Sequence, residues 1–300
     1  MPEFEGAPRR PDLVSVVIPV YNGLPLLDVQ LEGLAAQDYQ DSFEVIISDN
    51  GSTDGLRQHL ANHPLREKLC LRHIDASDAK GAPHARNAGA AAADGDFLAF
   101  TDQDDRVYPG WLRGLVEAAA EFDAVGGPIE VHSLNSPKVA KWRPCPAPDQ
   151  RFPSHYRYFA HGNNMAMWRT TFEKVGGFDE NMLAGDDLDI SWMIEEAGLT
   201  LGHTPEAMVA YRLRTTLPEA LRQAIGYGRT QVDVYAKHRP NGCPPYPKRA
   251  TLITLAATVF CNPLFFFVRP WVPTGLWALH AGILIGRIQG SIRLRTMDYL

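Results

Sequence analysis

The sequence predicts an α/β fold whose strands run mostly parallel in one sheet, with helices on its faces. Continuous β-branched and aromatic runs mark strands buried on both sides, as parallel strands are. Between them lie segments with leucine or alanine at helical spacing, so strand and helix alternate. A third observation gives the sheet a working edge. The fourth run closes in AFTDQDDR, which packs Asp102, Asp104 and Asp105 into four positions beyond an apolar strand.

Taken in order, Val14 to Val20 (VSVVIPV) is the first strand, ended by the turn residues Tyr21, Asn22 and Gly23. Residues 25 to 37 carry leucines at helical spacing, Phe43 to Ser48 (FEVIIS) is the second strand, and Asp54 to Asn62 reads as a helix. A third strand is expected around Leu69 to Ile74, a small-residue helix over Ala85 to Ala93, and a fourth strand over Asp96 to Phe100. Open α/β sheets bind ligands beyond the carboxyl ends of their strands. Pro19 to Asn22 and Asp49 to Ser52 stand at such ends, as do the acids. No G-x-G-x-x-G follows a strand, so neither a nicotinamide nor a flavin cofactor is expected. The proline-rich Ser136 to Pro153 segment should be a loop over the sheet, because proline cannot sustain a helix interior or a central strand. Leu217 to Lys237 should form a helix.

A chain of 300 residues that is 45% hydrophobic can bury a sizeable core. The net charge of -6, with 29 basic against 35 acidic residues, argues against nucleic acid as a partner. Cys70, Cys145, Cys243 and Cys261 form no C-x-x-C pair, which fits reduced thiols in the cytoplasm. The N-terminal MPEFEGAPRRPDL lacks the apolar core of an export signal.

The last part differs in kind. Leu252 to Val268 holds no charge, and a second weakly polar stretch runs from Trp271 to Gly286. At about 1.5 Å per residue the first reaches roughly 25 Å, short of a hydrocarbon core of about 30 Å. Lys248 and Arg249 precede the pair and Arg287, Arg293 and Arg295 follow it, so both ends would stay cytoplasmic. The expectation is a re-entrant or interfacial helical hairpin with Trp271 and Trp277 near the headgroups, monotopic on the inner face of the membrane. A buried hairpin or a homo-oligomer interface is the alternative.

Three crowded aspartates at the end of a buried strand repel one another unless a cation compensates them. Magnesium or manganese suits such carboxylates, and magnesium commonly takes its other ligands from water and substrate phosphates. Asp186 and Asp187 open an amphipathic segment from Leu183 to Leu199, where a carboxylate can complement the helix dipole. In HGNNMAMWR, the polar side chains of His161, Asn163 and Asn164 are set among apolar neighbours, and the spacing of Trp168 with Met165 fits an apolar face.

From Ser15 to Arg229 the chain resembles the inverting, nucleotide-sugar-dependent glycosyltransferases of family 2. The likeness rests on SVVIPVYNG, SDNGSTD, GAPHARNAG, TDQDD, VGGFDE and AGDDLDI, in family order. It implies a GT-A (Rossmann-like) fold: a mixed, mostly parallel sheet flanked by helices. By the same resemblance Pro19, Tyr21, Asp49 and Asn50 would line the base pocket, Arg86 would approach the nucleotide, and Asp102 and Asp104 would match the D-x-D that meets ribose and metal. Asp104 and Asp105 would hold Mn2+ or Mg2+. Asp187 matches the acid that removes the acceptor's proton, with Asp186, His161, Asn163 and Asn164 toward the acceptor, whose sugar hydroxyls they could receive, and Trp168 there to stack on a sugar ring or fill the core. The partners implied are a nucleoside-diphosphate sugar and a carbohydrate or lipid-linked acceptor. On this reading 14–135 binds the donor, 136–240 completes the same domain, 241–300 is the hydrophobic hairpin and 1–13 is a tail.

Two departures stand out. Met193 and Tyr211 occupy positions where the family often carries an arginine and a metal-binding histidine. A processive synthase would carry Q-x-x-R-W, which QAIGYGR (223–229) does not match, and a nucleotidyltransferase would want a glycine-rich phosphate loop with an arginine after the first strand. A noncatalytic sugar-nucleotide-binding module is the rival from outside the enzymes.

Overall fold

The computed structural model describes residues 9–182, 184–263 and 272–299. In chain order the first half consists of β1 (Val14–Val20), α1 (Leu26–Ala35), β2 (Phe43–Asp49), α2 (Leu56–Ala61), β3 (Leu71–Asp75), α3 (Ala82–Ala92), β4 (Phe97–Phe100), β5 (Arg106–Val107), α4 (Trp111–Ala118), β6 (Ala124–Gly126) and β7 (Ile129–Glu130). It continues with α5 (Pro137–Ala140), β8 (Met165–Trp168), α6 (Arg169–Val175), α7 (Asp186–Glu196), β9 (Leu201–His203), β10 (Val209–Ala210), α8 (Leu217–His238), α9 (Lys248–Phe260) and α10 (Thr274–Leu294).

The main sheet has the order β3-β2-β1-β4-β8-β6-β9. Only β8 runs against its neighbours, so the sheet is mixed and mostly parallel, as expected. Every residue of β1 is buried, which is why its sequence alternates nothing and reads as one apolar run. One apolar layer, with Leu27, Leu31 and Trp111, covers one face of the sheet, and a second, with Phe178, Ile190 and Ile194, covers the other. A smaller sheet, β5-β10-β7, lies beyond the strand ends.

The C-terminal region holds two helices, α9 and α10, that meet one another. No helix among the described residues is long and apolar enough to cross a membrane. Instead α10 packs along α8 at backbone distance: a Cβ on Gly228 would lie 2.1 Å from the Ile283 carbonyl oxygen, and one on Gly286 2.1 Å from that of Ile225. Only glycine allows such an approach, and these small residues lower the local hydropathy that a spanning segment needs. Helix α9 is different, for none of its residues is buried. It meets α10 where Trp277 Nε1 donates to the Thr258 carbonyl at 2.9 Å. Trp271 and the end of the first apolar stretch lie outside the described residues.

Candidate active site

Strand register lays the site out. Val20 lies opposite Asp49, and Val17 opposite Phe100, so the residues that follow β1, β2 and β4 emerge at one edge of the sheet. Because β8 is antiparallel and pairs Met165 with Phe100, the preceding His161 to Asn164 reach that same edge. In the small sheet Ala210 pairs antiparallel with Arg106, which sends Tyr211 and Arg212 back past Asp105 and Asp104. Helix α7 starts at the edge too. Its first acids follow Gly185, whose φ of 70° and close neighbour Thr230, with Cγ2 2.5 Å from the place of a Cβ, exclude other residues.

At the centre is Arg86. It projects from α3, is nearly fully buried, and bridges two carboxylates: Nη2 donates to Asp102 Oδ1 at 2.7 Å and Nη1 to Asp186 Oδ2 at 2.5 Å. Burial works against its charge, but Asp186 and Asp102 together raise its pKa. Burial likewise pushes the Asp186 carboxyl up to about 6 against the pull of Arg86. The expectation that Arg86 waits for the nucleotide is therefore corrected. Its two ends are spent joining the acid after β4 to the acid opening α7.

Asp187 stays reachable, with 22% of its side chain exposed. Its Oδ2 faces His161 Nδ1 at 3.5 Å and accepts from Gly162 N at 3.3 Å, while Oδ1 accepts from Leu188 N at 2.8 Å. Burial disfavours its charge, yet His161 and these two amides outweigh that and hold the carboxyl below the ordinary range. Burial keeps His161 neutral, against the pull of Asp187. A neutral ring with Nδ1 protonated can donate to Asp187, which leaves Nε2, buried and without a hydrogen-bond partner, as an acceptor.

The acids after β4 divide. Asp105 is sealed: Oδ2 accepts from Asn163 Nδ2 at 2.5 Å and Oδ1 from Arg212 N at 2.8 Å. Burial, with Asp104 and Asp102 close by, drives its pKa well above the ordinary value. Asp104 keeps its carboxylate at the cleft, and among the described residues its ion pair is a long one of 3.5 Å to Arg214. Its pKa is also raised, by burial and by Asp102. A hard divalent cation fits Asp104, whose side chain is partly exposed and whose charge it would relieve; it does not fit Asp105, whose two oxygens already brace the chain.

Other expected site residues take structural places. Asn164 is fully buried, donates to the Pro128 and Ala207 carbonyls at 2.8 Å each and accepts from Trp111 Nε1, so it cannot meet an acceptor. Asn163 braces Asp105 rather than a sugar. Trp168 pairs with Phe97 at the far end of β4, and its Nε1 donates to the Ala119 carbonyl at 3.1 Å. Sugar stacking is ruled out by that position. Asn50 donates to the Ala76 and Ala79 carbonyls and accepts from Gly81 N, which leaves its amide spent on the loop before α3. Asp49 does remain at the edge, with Oδ1 accepting from Ser52 N at 2.7 Å and Oδ2 beside His73 at 3.1 Å. Pro19 lies within β1, and the Tyr21 ring is 60% exposed at its end, its peptide clamped by the Gln103 amide.

Several contributors escaped the sequence reading. Gln30, in the middle of α1, is fully buried; its amide donates to Thr101 Oγ1 and the Asp102 carbonyl and accepts from Val107 N, which fixes the acidic turn. A glutamine among leucines on a buried face was the available signal. Arg212 Nε donates to the Asp104 carbonyl at 2.8 Å. Asp189, fully buried, is held by His238 and Lys237 at 2.8 Å each, so the end of α8 fixes the start of α7. Lys237 Nζ also lies 3.6 Å from Met193 Sδ, bringing a cation beside the position where the chain lacks an arginine.

The family model for glycosyl transferase family 2 matches residues 15–176. Pre-mycofactocin glycosyltransferase of Mycobacterium tuberculosis is 28% identical over 258 residues, covering 77% of this chain and 49% of that protein. The chain thus spans about half the length of that relative. Succinoglycan biosynthesis protein ExoA of Rhizobium meliloti is 24% identical over 277 residues, 88% of this chain and 82% of that one. Among solved structures, mannosyltransferase PcManGT from Pyrobaculum calidifontis, in complex with GDP-Man and Mn2+, superposes with a TM-score of 0.60 at 20% identity, over 95% of this chain and 90% of that one. At that identity the likeness is one of fold.

Proposed function

Because the chain belongs to glycosyltransferase family 2, we propose that it is an inverting, non-processive transferase that moves a sugar from a nucleoside diphosphate to an acceptor hydroxyl. The observation that carries the reading is the buried Asp102–Arg86–Asp186 bridge, which fixes the acid after the donor-side strand beside the base candidate Asp187.

The donor's nucleoside takes the edge formed by Pro19, Tyr21 and Asp49, with its ribose toward Asp102. Asp104 would hold Mn2+ or Mg2+, a Lewis acid whose charge stabilises a departing diphosphate when it is bound. Asp187 accepts the acceptor's proton. Ionised through the neutral pH range and oriented by Gly162 N and Leu188 N, it needs no reorganisation to do so. His161 holds the unused edge of that carboxylate and, as Asp187 gains the proton, can keep its hydrogen bond to the same oxygen. In-line attack from Asp187's side inverts the anomeric carbon, and no side chain is needed as a nucleophile.

The acceptor is a carbohydrate, lipid-linked or part of a nascent surface glycan, met at the inner face of the cell membrane. Support comes from α9, where Leu252, Ile253, Val259 and Phe260 are exposed next to Lys248 and Arg249, the composition of a helix that rests on an anionic bilayer surface.

Product formation from a panel of UDP-, GDP- and dTDP-sugars with Mn2+ tests the function. Asp187→Asn should lower turnover by about 10²- to 10⁴-fold and leave nucleotide binding intact. Unchanged turnover would remove Asp187 from the role of base, and a wild-type chain inert with every donor would overturn the reading.

A further inference from the structure

The structure assigns Arg143 to the leaving diphosphate: we infer that its guanidinium binds the phosphates of the sugar nucleotide from the side opposite Asp104. This rests on the transferase reading above.

Arg143 belongs to the proline-rich segment that crosses the strand ends. Its guanidinium carbon lies 5.0 Å from the centre of the Tyr211 ring and 5.9 Å from that of Tyr227. The first of these rings is the important neighbour. Tyr211 stands one residue before Arg212, whose backbone N–H and Nε secure Asp105 and the Asp104 carbonyl. A cation stacked on Tyr211 is thereby set over the turn that carries the cleft acids. Its charge is also felt at His161, the ring beside Asp187, whose protonation it opposes.

What Arg143 lacks is an anion. The other arginines of the site are committed: Arg86 to Asp102 and Asp186, Arg212 to the Asp104 carbonyl, Arg214 to Asp104. Among the described residues no carboxylate lies within ion-pairing distance of Arg143, and its neighbours are two tyrosine faces and the Tyr227 hydroxyl. Stacking on aromatic rings recovers about 0.5–2 kcal/mol, less than the several kcal/mol that desolvating an ion costs. A guanidinium kept half-buried on such terms is suited to a ligand that brings the charge with it. Its planar fork matches two phosphate oxygens at once.

The ligand has the complementary need. A diphosphate entering this cleft meets the carboxylates of Asp102 and Asp104, and the chain has Tyr211 where a histidine could have been a further metal ligand. A cation carried on the face of that tyrosine supplies positive charge from the protein instead. Two rigid rings fix its direction, which limits the ordering needed when the ligand arrives.

Calorimetric titration with UDP, GDP and dTDP, in Mn2+, provides the test, with uridine, guanosine and thymidine as controls. Whichever diphosphate binds the wild type should bind Arg143→Gln at least tenfold more weakly, with the matching nucleoside unchanged. Arg143→Lys should recover part of the loss, since it restores charge but not the fork. It also carries the test if Arg143→Gln fails to fold: a loss of about three- to tenfold against wild type is expected for it. Diphosphate affinity within twofold of wild type in a folded variant, or an effect confined to the acceptor's KM, would overturn the inference while leaving the transferase reading in place. A wild-type chain that binds none of UDP, GDP and dTDP would overturn both.

Discussion

Replacing Arg86 by methionine should cost the fold about 3 kcal/mol at neutral pH. The bridge it leaves consists of Asp186, with a side chain 10% exposed, and Asp102, 31% exposed. Breaking one partner of a buried pair typically costs about 3–5 kcal/mol. Asp186 sets a ceiling of its own, because a carboxyl stranded without its cation can take up a proton. With that carboxyl already raised to about 6 beside Arg86, taking up the proton at pH 7 costs only about 1.4 kcal/mol, at 1.36 kcal/mol per pH unit, which holds the loss to the low end of that range. Asp102 adds little, being open enough to hydrate. For a chain of 300 residues a loss of 3 kcal/mol lowers the melting temperature by about 5 °C. Thermal unfolding followed by circular dichroism reads it directly. The deficit should shrink as pH falls from 7.5 to 5.5, since the proton that rescues Asp186 becomes easier to supply. Arg86→Met combined with Asp186→Asn should recover most of the loss, because the stranded charge is gone. A single variant that melts within 2 °C of wild type, or a double variant no better than the single, would refute the claim that Arg86 exists to join these two acids.

Two further outcomes follow from the C-terminal packing. Gly228→Ala should lower the melting temperature by several degrees, because its Cβ would lie 2.1 Å from the Ile283 carbonyl oxygen and force α8 from α10; overpacking of this kind costs about 1–3 kcal/mol. An unchanged melt would mean that the two helices do not touch there in solution. His155 gives a pH signature. Burial depresses its pKa to about 4, well below the unfolded value of 6.5, so it contributes fully above pH 6.5 and that contribution is lost as pH falls toward 4. The stability difference between wild type and His155→Gln should narrow over that window in urea titrations, and a constant difference would show that the ring is not buried neutral.

Much of the fold was legible because parallel strands buried on both faces write themselves as unbroken apolar runs. Val14–Val20, Phe43–Asp49 and Phe97–Phe100 appear within a residue of where the composition puts them. Helix α3 begins at Ala82, three residues before the small-residue run, since Pro83 is compatible with a first helical turn. The packing of α10 on α8 was not legible for a related reason: glycines that let the two helices touch read as weak hydropathy rather than as a packing surface.

The sequence by itself determined which chemistry the protein carries: a run of acids beyond a buried strand, a second pair of acids at a helix start, and six motifs in family order. Only the tertiary structure decided how those acids divide. Asp105 is sealed by Asn163 and Arg212, Asp104 is left facing the cleft, and Arg86 is used up between Asp102 and Asp186. The physical reason is that a side chain's availability depends on partners far away in the chain. Arg86 and Asp186 stand 100 residues apart, and Arg212 and Asp105 stand 107 apart, so composition and spacing show the charges but not which ones cancel.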